Sequence, residues 1–394
     1  MHHRILLLLL PALLAGLALP AAAPAAAKRR VPQGFLGVNL NGPMLDAGVD
    51  FAGESATMAR AGAEAVRLPV FWAAEQPYAT AADVPPDRRA AFVDAGGVPT
   101  DFSASDRLIG AAAAHGLRIL ATVARTPPWA AKQQTLFDAS PPRDPGTYAA
   151  FMTALVRRYG PGGDFWRAHP ELRPVPVRDW QVWNEPGQVY YWTEQPFARG
   201  YVRLLAAAHA AIKAADHGAK VVLAGLNSGF GYLSWTDLGK VYAAGGGRLF
   251  DEAAQHPFSF RTANVIRSVR LFRAVMARHG DGRKPLLLTE LSWTSAKGKT
   301  KLRYGFEVTE RDQARRIAEA LPLLAGLRRQ LHLAGVYWYT WLTPPLGSPQ
   351  PFDYAGLRRQ SGAGIVSKPA LGAYRSAARA LEGCAKSAVA TRCG

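Results

Sequence analysis

The chain has 394 residues, of which 49% are hydrophobic, 10% aromatic and only 19% charged. That composition builds a sizeable core and excludes a disordered tail or a small disulfide-stapled module. The formal charge is +18, which taken alone admits nucleic acid, a membrane surface or an acidic polymer as partner.

The charge has a plainer source. Of the 47 basic residues 36 are Arg, and Ala, Gly and Pro are also abundant, as in chains encoded by GC-rich DNA. No basic run exceeds Lys28-Arg29-Arg30, and there is no RNA-binding aromatic signature, zinc-finger spacing or leucine heptad. No nucleic-acid partner is expected.

In chain order the first feature is an export signal. A short basic start at Arg4 leads into an apolar stretch over 5–19 and then an Ala-rich segment. Cleavage fits Ala25-Ala26-Ala27, or alternatively Ala21-Ala22-Ala23. An uncleaved anchor is the rival, but Pro11 and Pro20 leave the run short of a span of about 20 residues. The chain is therefore expected to act outside the cell or at its wall, with no membrane span after cleavage of residues 1–27.

After residue 30, short apolar runs alternate with Ala/Arg/Leu-rich segments of helical period. Strands are predicted over 35–40, 65–71, 118–123, 177–182, 220–224, 249–255, 285–289 and 333–341. Helices are predicted over 53–61, 103–115, 147–159, 197–215, 261–278 and 310–330. Segments 80–100 and 160–176 read as insertions, and 228–247 as irregular. Runs such as Leu286-Leu287-Leu288 suit strands buried on both faces. A doubly wound sheet would want a Gly-rich turn after the first strand, and 34–41 does not supply it. The expectation is a single (β/α)8 barrel over 31–383, preceded by the signal and followed by a tail over 384–394.

Barrel chemistry sits at the C-terminal ends of the strands. Two carboxylates terminate such runs: Glu185 on strand four, in Trp183-Asn184-Glu185-Pro186, and Glu290 on strand seven, in Leu287-Leu288-Thr289-Glu290. Two carboxyl groups across one mouth suit glycoside hydrolysis, where one protonates the leaving oxygen and the other attacks the anomeric carbon or activates water. Strand two carries Arg67, and strand six runs toward His256. A lone strand-end Glu paired with Arg67 would be merely structural, and a lone strand-end His is more often so.

These two motifs resemble those of the clan A glycoside hydrolases, the retaining (β/α)8 enzymes. Thr126-Pro127-Pro128-Trp129, Arg157-Arg158-Tyr159-Gly160, the stretch from Ala263 after His256-Pro257, and Lys368-Pro369-Ala370 are similar to bacterial members of families 39 and 5. The resemblance runs through most of 35–380. It implies Glu185 as acid/base, Glu290 as nucleophile, Asn184 as a ligand of the sugar 2-hydroxyl, Arg67 as the cation that keeps Glu290 ionised, and His256 as an ordering group. It implies no metal and no organic cofactor. One departure stands out: Phe258 occupies the place, two residues after the His, where many members carry Tyr. A phenolic hydrogen bond to the nucleophile would then come from elsewhere, with Tyr232 and Tyr304 as candidates.

Sugar rings stack on aromatic faces. The candidate platforms are Trp129, Trp293, and one of Trp338 and Trp341, which lie three apart on strand eight and so point to opposite faces, with Trp341 preferred as nearer the C-terminal end. The aromatics of Gly187-Gln188-Val189-Tyr190-Tyr191-Trp192 either line a subsite or pack as an ordinary loop. Cys384 and Cys393 can close a small terminal loop in an exported chain. The reading is a secreted retaining glycosidase acting on an oligo- or polysaccharide. A transglycosylase using the same two Glu, or a non-catalytic sugar-binding barrel, are the alternatives. The basic surface weakly favours an anionic polysaccharide.

Overall fold

The computed structural model describes residues 29–383, apart from 230, 346 and 363. The segment 1–27 expected as an export signal, Lys28, Cys384 and Cys393 lie outside the described residues.

Nine parallel strands form one sheet: β1 (Leu36–Asn39), β2 (Ala65–Phe71), β3 (Arg118–Ala124), β4 (Asp179–Val182), β5 (Lys220–Val222), β6 (Leu226–Ser228), β7 (Ala253–Pro257), β8 (Leu286–Leu291) and β9 (Leu333–Trp338). Their spatial order is β5-β4-β3-β2-β1-β9-β8-β7-β6. The two ends of that order, β5 and β6, are consecutive in the chain. Bridges Asn184 to Gly225 and Val222 to Glu252 span the same place. The sheet therefore closes on itself, and β5 with β6 makes one interrupted stave of an eight-stave (β/α)8 barrel.

Eight helices of ten residues or more surround the barrel among the described residues: α1 (Phe51–Arg60), α2 (Ser103–Ala114), α3 (Pro145–Tyr159), α4 (Ala198–Ala215), α5 (Ser234–Ala243), α6 (Thr262–Arg278), α7 (Glu310–Leu331) and α8 (Pro369–Glu382). Their ends follow local chemistry. Asp50 caps α1 by accepting from Gly53 N at 3.0 Å, and Thr309 caps α7 by accepting from Asp312 N at 3.1 Å. Pro145 and Pro369 occupy the first turn of α3 and α8, where a missing N–H costs nothing.

Six expected helices are present within a few residues of their predicted ends. Two more appear. α5 lies inside the segment read as irregular, and α8 follows the last strand. In α8, Ala370, Leu371, Tyr374, Ala377, Ala378 and Leu381 are buried, a stripe of helical period that docks on the barrel beside α7. The expected strand over 249–255 is shifted to β7, so His256 sits within a strand. The expected strand over 333–341 stops at Trp338.

Side chains alternate in and out along each strand. Ala65, Leu120, Val222, Ala254, Leu287 and Tyr337 fill the lower barrel interior as a separate apolar cluster. Beneath them Asp179, Lys220, Glu252 and Arg118 form an ion-pair group, with Lys220 Nζ 2.6 Å from Glu252 Oε1. Above the apolar layer the same alternation turns polar, with Arg67, Thr122, Gln181, His256 and Thr289 buried. The outward-facing residues and the helices form the larger core.

Candidate active site

The polar layer opens into a cavity of about 230 Å³ at the C-terminal mouth of the barrel. Asn39, Asn41, Arg67, Asn184, Glu290 and Tyr339 line its strand side, and Arg125, Phe137, Tyr190 and Tyr191 line its loop side.

Arg67 is the hub. Its Nη1 donates to Glu290 Oε1 at 2.6 Å, its Nη2 to Asn184 Oδ1 at 2.6 Å, and its Nε to Gln181 Oε1 at 2.7 Å. Gln181 is held in turn by Thr122 Oγ1 at 2.9 Å and by its own bond to Leu223 O at 3.0 Å. One planar guanidinium thus fixes residues from β4, the β4 terminus and β8. Glu185 is buried beside it. His256 Nδ1 lies 2.6 Å from Glu185 Oε1 and 3.7 Å from Glu290 Oε2, and His256 Nε2 lies 2.9 Å from Thr289 Oγ1. Gln188 Nε2 donates to the other oxygen of Glu185. Glu185, His256 and Glu290 each present a ligand atom within 4.8 Å of the others. They could in principle share a cation, but Arg67 already places a fixed positive charge against Glu290, which opposes one.

The backbone bends hard at the mouth. Arg125, Asp138, Trp183 and Glu185 have φ of 69°, 50°, 72° and 42°, a region that non-glycine residues adopt at a cost of order 1–3 kcal/mol each. Hydrogen bonds hold them there: Trp183 N to Val123 O at 2.9 Å, Thr126 N to Asp138 O at 3.0 Å, and Glu185 N to Gly225 O at 3.1 Å. Gly225 cannot carry a side chain, because a Cβ there would lie 1.9 Å from His256 Nε2.

The electrostatics separate the two carboxyl groups. Burial pushes Glu185 far above the usual carboxylate range, and the neighbouring charge of Glu290 pushes it further. Burial also raises Glu290, but there Arg67 opposes it through both charge and hydrogen bond. Both are raised, Glu185 the further, and Arg67 favours the charged form at Glu290 by a hydrogen bond as well as by charge. Burial, followed by the Arg67 charge, drives the His256 imidazole well below its ordinary value, so the ring is neutral.

The expected site residues Glu185, Glu290, Arg67, Asn184 and His256 come together. The four tryptophans do not join them. Trp338 and Trp293 stack on each other at 6.4 Å, both fully buried, with Trp338 Nε1 donating to Ala355 O at 3.1 Å and Trp293 Nε1 to Phe260 O at 2.9 Å. Trp341 is buried outside the barrel wall and donates to Glu54 Oε2 of α1 at 2.6 Å. Trp129 is half-buried against Trp72 at 5.9 Å and donates to Gln76 O at 2.7 Å. The parity rule held for β9, but the strand ends at Trp338, so it does not extend to Trp341.

The residue of this segment that faces the cavity is Tyr339, in phase with the inward Tyr337. Its hydroxyl accepts from Asn41 Nδ2. Burial and then the charge of Glu290 raise its phenol. Tyr232 and Tyr304 do not line the cavity, and Tyr304 donates to Gln350 Oε1 at 3.0 Å. Phe258 packs behind Tyr339 with Phe306 and Phe352 at 5.5 and 5.2 Å. Gln181, Thr289 and Tyr339 were not singled out by sequence. Inward phase on their strands was the signal that could have found them.

No family model matches the sequence, and no curated protein matches it. Solved structures do. A family 39 glycoside hydrolase from Bacteroides cellulosilyticus superposes with a TM-score of 0.61 at 17% identity, over 89% of this chain and 64% of that one. A family 39 β-xylosidase from Caulobacter crescentus gives 0.59 at 21%, over 89% and 72%. A glucosidase from Croceicoccus marinus gives 0.58 at 17%, over 91% and 69%. The chain spans just under two thirds of the Bacteroides enzyme. At these identities the likeness is one of fold, and the fold is the (β/α)8 barrel of those glycosidases.

Proposed function

We propose that the chain is a retaining glycoside hydrolase with Glu185 as acid/base and Glu290 as nucleophile. One observation carries the reading. The two strand-end carboxyl groups bring oxygens within 4.8 Å of each other at the barrel mouth, Glu290 lining the cavity and Glu185 buried behind it, and among the described residues the guanidinium bonded to the pair is that of Arg67, on Glu290. Retaining glycosidases hold their carboxyl groups about 5–5.5 Å apart, whereas inverting ones leave room for a water.

In this mechanism Glu290 attacks the anomeric carbon while Glu185 gives its proton to the departing oxygen. The aglycone leaves as an alcohol, and the sugar remains as an ester of Glu290. Glu185, now a carboxylate, takes a proton from water, and the resulting hydroxide attacks the same carbon. Glu290 departs as the carboxylate, Glu185 regains its proton, and configuration is retained. Asn184 Oδ1 is engaged by Arg67, which turns its Nδ2 outward as a donor for a sugar hydroxyl. The neutral His256, braced by Thr289, orients Glu185. The alternation of one proton-holding and one charged carboxyl is the arrangement the two steps require.

The substrate side is an oligo- or polysaccharide or a smaller glycoside, in line with the glycosidases that share the fold. The basic-then-apolar start over residues 1–27 supports an activity outside the cytoplasm. Among the described residues no helix is long and apolar enough to cross a membrane.

The test is a panel of activated aryl glycosides with Glu290→Ala and Glu185→Ala. Glu290→Ala is expected to lose at least about 10³-fold in kcat, and a variant that keeps the wild-type rate removes the assignment. Added azide is expected to restore turnover to Glu185→Ala on substrates with good leaving groups, giving a glycosyl azide of retained configuration.

A further inference from the structure

Among the described residues, five of the large apolar side chains most open to solvent belong to two loops at one side of the mouth. Leu136 and Phe137 follow β3, and Val189, Tyr190 and Tyr191 follow β4. Leu136 is 95% exposed, and Val189 and Tyr190 are each 58% exposed. The loops meet: the Phe137 and Tyr190 rings stack at 4.8 Å with an interplanar angle of 29°. Exposed apolar surface of this kind is a cost in water and marks a binding site when it is contiguous.

The three rings of the wall are continuous with the cavity, and Leu136 and Val189 extend it outward beyond the cavity lining. Phe137, Tyr190 and Tyr191 line the same space as Glu290. It also has a defined side. The β4 loop leaves directly from Glu185, and Gln188 of that loop bonds the Glu185 carboxyl. The group that protonates the departing oxygen therefore lies beside this wall. The opposite side of the cavity is lined by Asn39, Asn41, Arg67 and Asn184, which suit sugar hydroxyls. The loop side differs in carrying aromatic rings, Phe137, Tyr190 and Tyr191, beside the polar Arg125 and Asp138.

Aromatic rings alone would also suit a second sugar. Two details favour a non-sugar occupant. Phe137 and Tyr190 each spend one face on the other. The side chains flanking them in the chain, Leu136 and Val189, are aliphatic and offer neither a ring face nor a hydrogen bond.

Resting on the glycosidase reading, we propose that the leaving-group side takes an aliphatic chain, so that the substrate is an amphipathic glycoside with an alkyl or lipid aglycone. Each methylene that leaves water contributes about 0.8 kcal/mol, so a few buried carbons change kcat/KM by more than tenfold.

The experiment has two stages. A panel of 4-nitrophenyl glycosides identifies the sugar, and failure of the whole panel counts against the glycosidase reading as well. Methyl and octyl glycosides of that sugar are then compared below micelle-forming concentration, with the matching disaccharide alongside. The expected result is a kcat/KM at least about tenfold higher for the octyl glycoside, expressed mainly in KM. In the double variant Leu136→Ser, Val189→Ser that ratio falls by at least about threefold, while the methyl glycoside is cleaved as by wild type. Both positions are exposed, so the fold is not at risk. Equal rates on methyl and octyl glycosides, a disaccharide preferred over both, or an unchanged ratio in the double variant overturns the proposal.

Discussion

A single guanidinium sets the charge state of the site. Arg67 lies against Glu290 and is matched on its other edges by Asn184 and Gln181, so its three hydrogen bonds go to groups other than Glu185. Replacing it by Met removes the cation that opposes burial at Glu290. The pKa of Glu290 then rises, the acidic limb of the pH profile of kcat/KM moves to higher pH, and kcat falls by roughly 10²–10³-fold. Gln188 acts with the opposite emphasis. Its N–H bonds the Glu185 carboxyl and favours the charged form, so Gln188→Ala raises an already raised pKa. The alkaline limb of the same profile is expected to move up while the acidic limb stays in place. A limb that moves down, or no movement, shows that Glu185 is not the acid being titrated. Much of this constellation was legible in the sequence, because a carboxylate ending an apolar strand has few places to point except into the mouth. Tyr339 and Gln181 were hidden, because their significance depends on strand phase and neighbouring strands rather than on any motif of their own.

Between elements, buried polar ties do work that resembled site chemistry in the sequence. Trp341 Nε1 and Arg358 both bond Glu54 of α1, which fastens the chain after β9 to the first helix. Trp341→Phe leaves a buried carboxylate short of one donor and should destabilise by about 1–3 kcal/mol without changing KM. A raised KM with unchanged denaturation midpoint would restore it as a sugar platform. Lys368, just before α8, is buried and donates to Tyr354 O at 2.9 Å and Gly356 O at 2.7 Å. Burial pushes its pKa down to about 7. Above that value the folded state has released the proton that the unfolded chain still holds, so the contribution of Lys368 to stability grows as pH rises from about 7 toward the ordinary lysine value. Denaturant titrations of wild type and Lys368→Met are expected to show a gap that widens over this range. The regular strands and helices were readable because their periods are long and their caps ordinary. α5 and α8 were missed where Gly, Ser and Ala dilute the apolar stripe. The early end of β9, which no residue type at 339–341 announces, misplaced Trp341.

At the scale of the whole molecule, the formal charge is +18, and it would be +17 without residues 1–27, whose one charged side chain is Arg4. Such a field speeds the approach of anionic polymers and is screened over about 10 Å at 0.1 M salt. Cleavage of a neutral glycoside should therefore be indifferent to added NaCl, while cleavage of an anionic polysaccharide, if it occurs, should slow in kcat/KM and not in kcat. The barrel carries a second global property in its interrupted stave. β5 and β6 are three residues each, with few ladder bonds to resist parting, and Gly225 lies between them under the His256 ring. The joint at which the cylinder is fastened is thus also the floor beneath the reacting groups. Partial opening there would tilt His256 and Glu185 before the remaining staves noticed. Turnover then serves as a gauge of closure, and heat inactivation is expected to run ahead of the loss of helical circular dichroism by a few degrees.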